Sequence, residues 1–144
     1  MNVELAVWHL DISLADKLLV PSVGGGEVLA AIQRKLGRLP WTVILEPDQE
    51  RKDELSKRFH TPMIHHMGLS EYNGAPVPLT YILCEPLENE SEHLNQALAL
   101  LAPTGRLAAI LPAGFETDNE KLRARIKASG AFLSVGEKWL LVVR

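Results

Sequence analysis

Residues 18–32 read LLVPSVGGGEVLAAI: three apolar residues, Pro21 and Ser22, three consecutive glycines after Val23, then a run with helical spacing. Val28, Leu29, Ile32 and Leu36 fall on one helical face, so the glycines stand where a buried strand turns into a helix. The same alternation continues outward. Residues 17–20 (KLLV), 41–45 (WTVIL), 80–84 (TYILC) and 106–111 (RLAAIL) are short, almost wholly apolar runs, as parallel strands covered on both faces require. MIHH at 63–66 is a weaker strand candidate. Between them, Leu94, Ala97, Leu98 and Leu101 share one helical face, and Leu122 and Ile126 mark a helix from Asn119 onward. QERKDELSKRF is charged along most of its length, with Leu55 and Phe59 as its apolar contacts, which predicts a helix with a broad wet face. AFLSV and KWLLVVR, separated by Gly136 and Glu137, read as an antiparallel hairpin on the edge of an otherwise parallel sheet. The expected fold is α/β, a single domain over residues 1–144.

Composition bounds the function. Hydrophobic residues make up 47% of the 144, and mean hydropathy is near zero, a balance that suits a globular domain with a proper core. No apolar run approaches a membrane span, and MNVELAVWHLD lacks the pattern of a signal peptide, so the expected location is cytoplasmic with no membrane partner. Cys84 is the only cysteine, which excludes an intramolecular disulfide. A net charge of −3 argues against strong, sequence-indifferent binding to nucleic acid.

The glycine turn has two readings. A phosphate or nucleoside approaches backbone only where side chains are absent, and the helix N-terminus offers free N–H groups. Gly24 and Gly26 form a G-x-G, and Glu46 stands about 20 residues further on at the end of the second strand, where a carboxylate accepts both hydroxyls of a ribose. The other reading is a tight strand-to-helix turn with no ligand.

The segment resembles the E-P-S-A-G-x-G stretch of class I S-adenosylmethionine-dependent methyltransferases, in particular those that methylate the exocyclic amine of adenine in DNA. VILEPD is similar to the second-strand acid segment, LTYILCEPLEN stands where the family has D-x-I-x-x-N-P-P-F/Y, and ALALLAPTGRLAAILPAGF is similar to A-L-x-L-L-K-P-G-G-R-L-A-x-I-L-P-x-G-F. The resemblance runs from about Leu18 through Phe115. It implies a Rossmann-like methyltransferase fold, S-adenosylmethionine as cofactor, and a cofactor site of Pro21, Ser22, Gly24, Gly26 and Glu46. Departures concentrate where the chemistry would lie. Val20 replaces an acid that reaches toward the methionine amino group, and Gly68 and Leu69 stand where an acid commonly takes the adenine amine. CEPLE replaces the residues around N-P-P-F/Y, so the aromatic ring that stacks on an extruded base is missing. Glu85, beside Pro86, still offers an acceptor for an amine, while Glu88 adds negative charge where a nucleic-acid strand would approach. A small cationic or amine-bearing substrate suits these carboxylates better than adenine in DNA.

Other residues favour plain roles. His60, His65 and His66 cluster, but neighbours in a strand point to opposite faces and no cysteine or second acid completes a ligand set, so no metal is expected. Cys84, ending a buried strand, reads as a small core residue. EPLENESEH reads as a solvated loop entering a helix, with Ser91 as N-cap. Trp8, Trp41 and Trp139 border apolar runs and are expected in the core or at its rim, Trp8 alternatively capping a pocket.

Three functional readings remain: a methyltransferase, a degenerate methyltransferase domain acting through a protein partner or as a homodimer, and another nucleoside-binding enzyme such as a nicotinamide-dependent one. DNA enters only if a partner supplies recognition. On the nucleoside reading, Gly26→Leu and Glu46→Ala each weaken ligand binding and leave the domain folded.

Overall fold

The computed structural model describes residues 7–8, 11–21, 26–60, 63–73, 79–84, 90–135 and 137–143. Its elements are β1 (Lys17–Pro21), α1 (Glu27–Leu36), β2 (Trp41–Leu45), α2 (Gln49–Arg58), β3 (Met63–His65), a 3₁₀ turn (Leu69–Glu71), β4 (Leu79–Cys84), α3 (Glu90–Leu100), β5 (Leu101–Pro112), α4 (Glu120–Ser129), β6 (Gly130–Val135) and β7 (Lys138–Val143). The seven strands form one sheet in the order β3-β2-β1-β4-β5-β7-β6. Strands β1 to β5 pair in parallel, and β7 runs antiparallel to both β5 and β6. Strand order reverses between β1 and β4, the crevice where open α/β sheets bind ligands at the carboxyl ends of their strands.

Alternation along each strand sorts the core into two layers. Leu18, Val20, Ile44, Ala108, Ile110, Leu140 and Val142 face Leu29 and Ile32 of α1 and Leu55 and Phe59 from the α2 side. Leu19, Val43, Leu45, Leu107, Ala109, Leu111, Leu141 and Val143 face Leu94, Ala97 and Leu98 of α3 and Leu122 of α4. Each such leucine, once fully buried, contributes about 1.5–3 kcal/mol, and the two-sided burial explains why the strands read as nearly continuous apolar runs. The charged helix behaves as its sequence predicts. Leu55 and Phe59 are buried, the rest of α2 faces water, and Asp48 caps it by accepting from the backbone N–H of Glu50 and Arg51 at 2.9 and 3.3 Å. Asn119 caps α4 in the same way, through Leu122 N–H at 3.0 Å.

Three expectations change. Leu101 does not continue α3: it pairs with Leu79 as the first residue of β5, and the ladder then jumps to Tyr81 opposite Arg106. The extra residues, which include Pro103 and Gly105, leave the pairing as a bulge, so a stretch that reads as a helix end and turn is also the irregular start of a strand. Ser91 lies inside α3, one residue after its first, and does not precede it as a cap. Trp8 is 70% exposed and packs beneath the ammonium of Lys35, 5.2 Å from the ring centroid, whereas Trp41 and Trp139 are half-buried as expected. Trp8 also lines a cavity of about 230 Å³ with Val7, Ala31, Arg34 and Lys35. None of the helices described is long and apolar enough to cross a membrane.

Candidate functional site

The site is built outward from the end of β2. Pro21 and Leu45 are paired across β1 and β2, so Glu46 is the first residue past the level at which both strands end. Its backbone N–H donates to the carbonyl of His65 at 2.9 Å, holding it beside the end of β3. Its Oε2 accepts from Asp48 N–H at 2.9 Å, and Asp48 in turn caps α2. Strand, cap and helix therefore fix one carboxylate in one orientation. Glu46 is only 1% exposed, and its Oε1 is buried with no hydrogen-bond partner among the described residues. A buried carboxylate oxygen without a donor carries a desolvation penalty that nothing returns, so native structures seldom leave one unless a ligand or water completes it. Any N–H or O–H donor of a ligand would complete such an oxygen.

Gly26 marks the other side. It precedes α1 with φ +83°, in the left-handed region that favours glycine. A Cβ there would lie 3.0 Å from Leu55 Cδ2 and 3.1 Å from both Arg58 Nη1 and Phe59 Cε2. The absent side chain thus makes room for α2, and Gly26 stands at the N-terminus of α1, whose first N–H groups have no acceptor within the helix. This alters one expectation from the sequence: Gly26→Leu is not a substitution that leaves packing untouched.

Pro21 ends β1 buried. Ser22, Gly24, Glu85 and Pro86, assigned to the site from the sequence, lie outside the described residues, as does Glu88. Val20 and Leu69 are core residues, 1% and 6% exposed, in opposite layers. Of the histidines, His60 is exposed, His65 lies 6.2 Å from the Tyr72 ring between centroids, and His66 Nε2 contacts the Pro47 carbonyl at 2.9 Å. No group of three metal-ligating side chains occurs among the described residues. A larger hollow of about 590 Å³, lined in part by Phe115, Arg123, Ile126 and Phe132, lies against α4 and β6, away from Glu46. A buried carboxylate oxygen with an unfilled valence is a more specific feature than open volume, and it makes Glu46 the candidate position.

Sequence reasoning passed over His93, in the first turns of α3. Its Nε2 is buried without a partner among the described residues, and burial lowers the imidazole below its usual value. Folding therefore favours the neutral ring. The contribution is present in full above about pH 6.5, where the unfolded ring is neutral too, and is lost as pH falls toward the lower folded value. The melting midpoint of the wild type should drop more between pH 7.5 and 5.5 than that of His93→Gln; an equal drop in both would contradict the assignment.

No family model and no curated protein matches the sequence. Solved structures match it closely in shape. An RNA methyltransferase from Salinibacter ruber, in complex with S-adenosyl-L-homocysteine, superposes with a TM-score of 0.76 at 15% identity, over 99% of this chain and 88% of that one. A SAM-dependent O-methyltransferase from Thermotoga maritima gives 0.69 at 15% identity, over 98% and 63%. Magnesium protoporphyrin IX methyltransferase from Synechocystis PCC 6803, with bound SAM, gives 0.69 at 12% identity, over 99% and 76%. At such identities the likeness establishes the fold, which is the Rossmann-like fold of S-adenosylmethionine-dependent methyltransferases.

Proposed function

We propose that this chain binds S-adenosylmethionine at the carboxyl ends of β1 and β2 and serves as a methyltransferase for a small amine-bearing substrate. The observation that supports the reading is the buried Oε1 of Glu46, without a partner among the described residues, an acceptor that ribose hydroxyls would complete. The N–H groups at the start of α1 and the glycine turn of Gly24 and Gly26, flanked by Pro21 and Ser22, would take the rest of the nucleoside and its extension. Bound cofactor supplies a methyl group on a sulfonium, an electrophile that needs chiefly an aligned nucleophile. Glu85, beside Pro86, would accept hydrogen bonds from the substrate amine and hold its lone pair toward the crevice.

The motif order points to descent from adenine-specific DNA methyltransferases, and EPLE in place of N-P-P-F/Y points away from adenine as the present substrate. That same departure supports a second reading, a methyltransferase-fold module that has lost transfer and acts through a protein partner. Calorimetric titration with S-adenosylmethionine and S-adenosylhomocysteine, with NAD as control, separates the two. Micromolar binding of the first pair and none of NAD is the expected result. Binding of neither cofactor form would overturn the proposal and leave the module reading.

A further inference from the structure

We propose that the free edge of β6 is the contact surface of a homodimer, in which β6 of two copies pair antiparallel about a two-fold axis perpendicular to the sheet. The two outer strands of the sheet differ in how they end it. β3 has three residues, too short to template much pairing. β6 has six, GAFLSV, with no charge and no proline, and its ladder to β7 runs from Gly130 to Val135 without a bulge. Natural edge strands are usually blunted by at least one such device, and among the described residues β6 carries no charge, proline or bulge.

Its side chains repeat the pattern on both faces. Phe132 is opposite Leu141 and so lies on the α4 face, while Leu133 is opposite Leu140 on the α1 face. They are 38% and 37% exposed, although each stands beside a fully buried leucine of β7. The only ring contact described for Phe132 is Trp139, at 5.2 Å, within its own hairpin. A strand from a second copy would cover both residues at once. With the axis normal to the sheet, each face of one copy continues into the same face of the other, so the residue at the centre of the pairing, Phe132 or Leu133, meets its own copy directly and the other of the two meets its copy on the diagonal.

Charge fits this operator. In an antiparallel pairing centred on Phe132 or Leu133, the β6–β7 turn of one copy lies level with the last turn of α4 in the other. The turn carries Glu137 and that last helical turn carries Lys127, both exposed, so symmetry brings this acid and this base together twice. Strand-edge interfaces of this extent fall at the small end of specific contacts, and micromolar self-association is the matching strength. The inference stands independently of cofactor binding.

Sedimentation analysis of the full chain from about 1 to about 500 µM tests it across that range. The expected mass rises from 15.9 kDa toward twice that value. Leu133→Lys should weaken the dimer at least about tenfold, because the two-fold axis would bring two ammonium groups together on the α1 face. Ser134→Lys, a milder change at the same edge, should weaken it as well, and circular dichroism checks that both variants remain folded. Glu137→Lys should weaken it a few-fold and Lys127→Glu added to it should restore it. A wild type that stays monomeric over the whole range overturns the proposal, and so does a dimer that folded Leu133→Lys and Ser134→Lys both leave unchanged.

Discussion

Exchanging Glu46 for glutamine should lower the affinity for S-adenosylhomocysteine by about 30- to 100-fold while leaving the unliganded domain at least as stable as the parent. The first effect follows from charge. Hydrogen bonds to an ionised acceptor are worth about 1.5–3 kcal/mol each, and the amide of glutamine retains at most part of that toward the two ribose hydroxyls. The second follows from burial. Glu46 is 1% exposed, and among the described residues its carboxylate has one donor, Asp48 N–H, and one oxygen with no partner. Glutamine keeps the acceptor for Asp48 and removes a buried charge that no cation among the described residues pairs. Titration calorimetry and a thermal scan of the same variant read both. A variant that binds like the parent and melts lower would make Glu46 a structural carboxylate and remove it from the site.

Replacing Gly26 by leucine should destabilise the fold by about 3 kcal/mol or more, where the sequence alone predicts a folded domain with weakened binding. Two costs combine. The residue sits at φ +83°, a conformation that costs an L residue about 1–2 kcal/mol, and its Cβ would meet Leu55, Arg58 and Phe59 at 3.0–3.1 Å. Crowding of packed side chains adds about 1–3 kcal/mol. Gly37 supplies the control, since it ends α1 at φ +82° with nothing within 4 Å of its Cβ position. Gly37→Ala should show the backbone cost alone, about 1–2 kcal/mol, and denaturant midpoints of the two variants measure the difference. Equal losses would mean that the α2 contact yields without resistance.

The architecture was legible in the sequence because its strands are buried on both faces, and such strands leave unbroken apolar runs with turn residues between. β2 was legible to the residue, 41–45, since Pro40 and Pro47 bracket it closely. Leu101 was misread because helical spacing from Leu94 continues through it, while the pairing that claims it, with Leu79, is long-range and invisible to local periodicity. The hairpin was legible, but AFLSV and KWLLVV look alike as strands. That β7 is interior and β6 the rim depends on which one β5 accepts, again a tertiary fact. At the site, Glu46 stood out by its distance from the glycines and by its place after an apolar run. Gly26 illustrates the reverse. One glycine pattern serves both ligand approach and helix packing, and only the neighbours of the missing Cβ distinguish them. His93 gave no signal at all, because its character comes from burial in α3 and from no motif.

A crystal structure of the full chain grown with S-adenosylhomocysteine shows directly whether Glu46 holds a ribose. The expected result is adenosine at the carboxyl ends of β1 and β2, with Glu46 Oε1 accepting from the ribose hydroxyls and the backbone of Glu46 and Asp48 unmoved. Ligand density elsewhere, or a Glu46 carboxylate whose second oxygen is taken by a protein donor and turned away from the ribose, would contradict it.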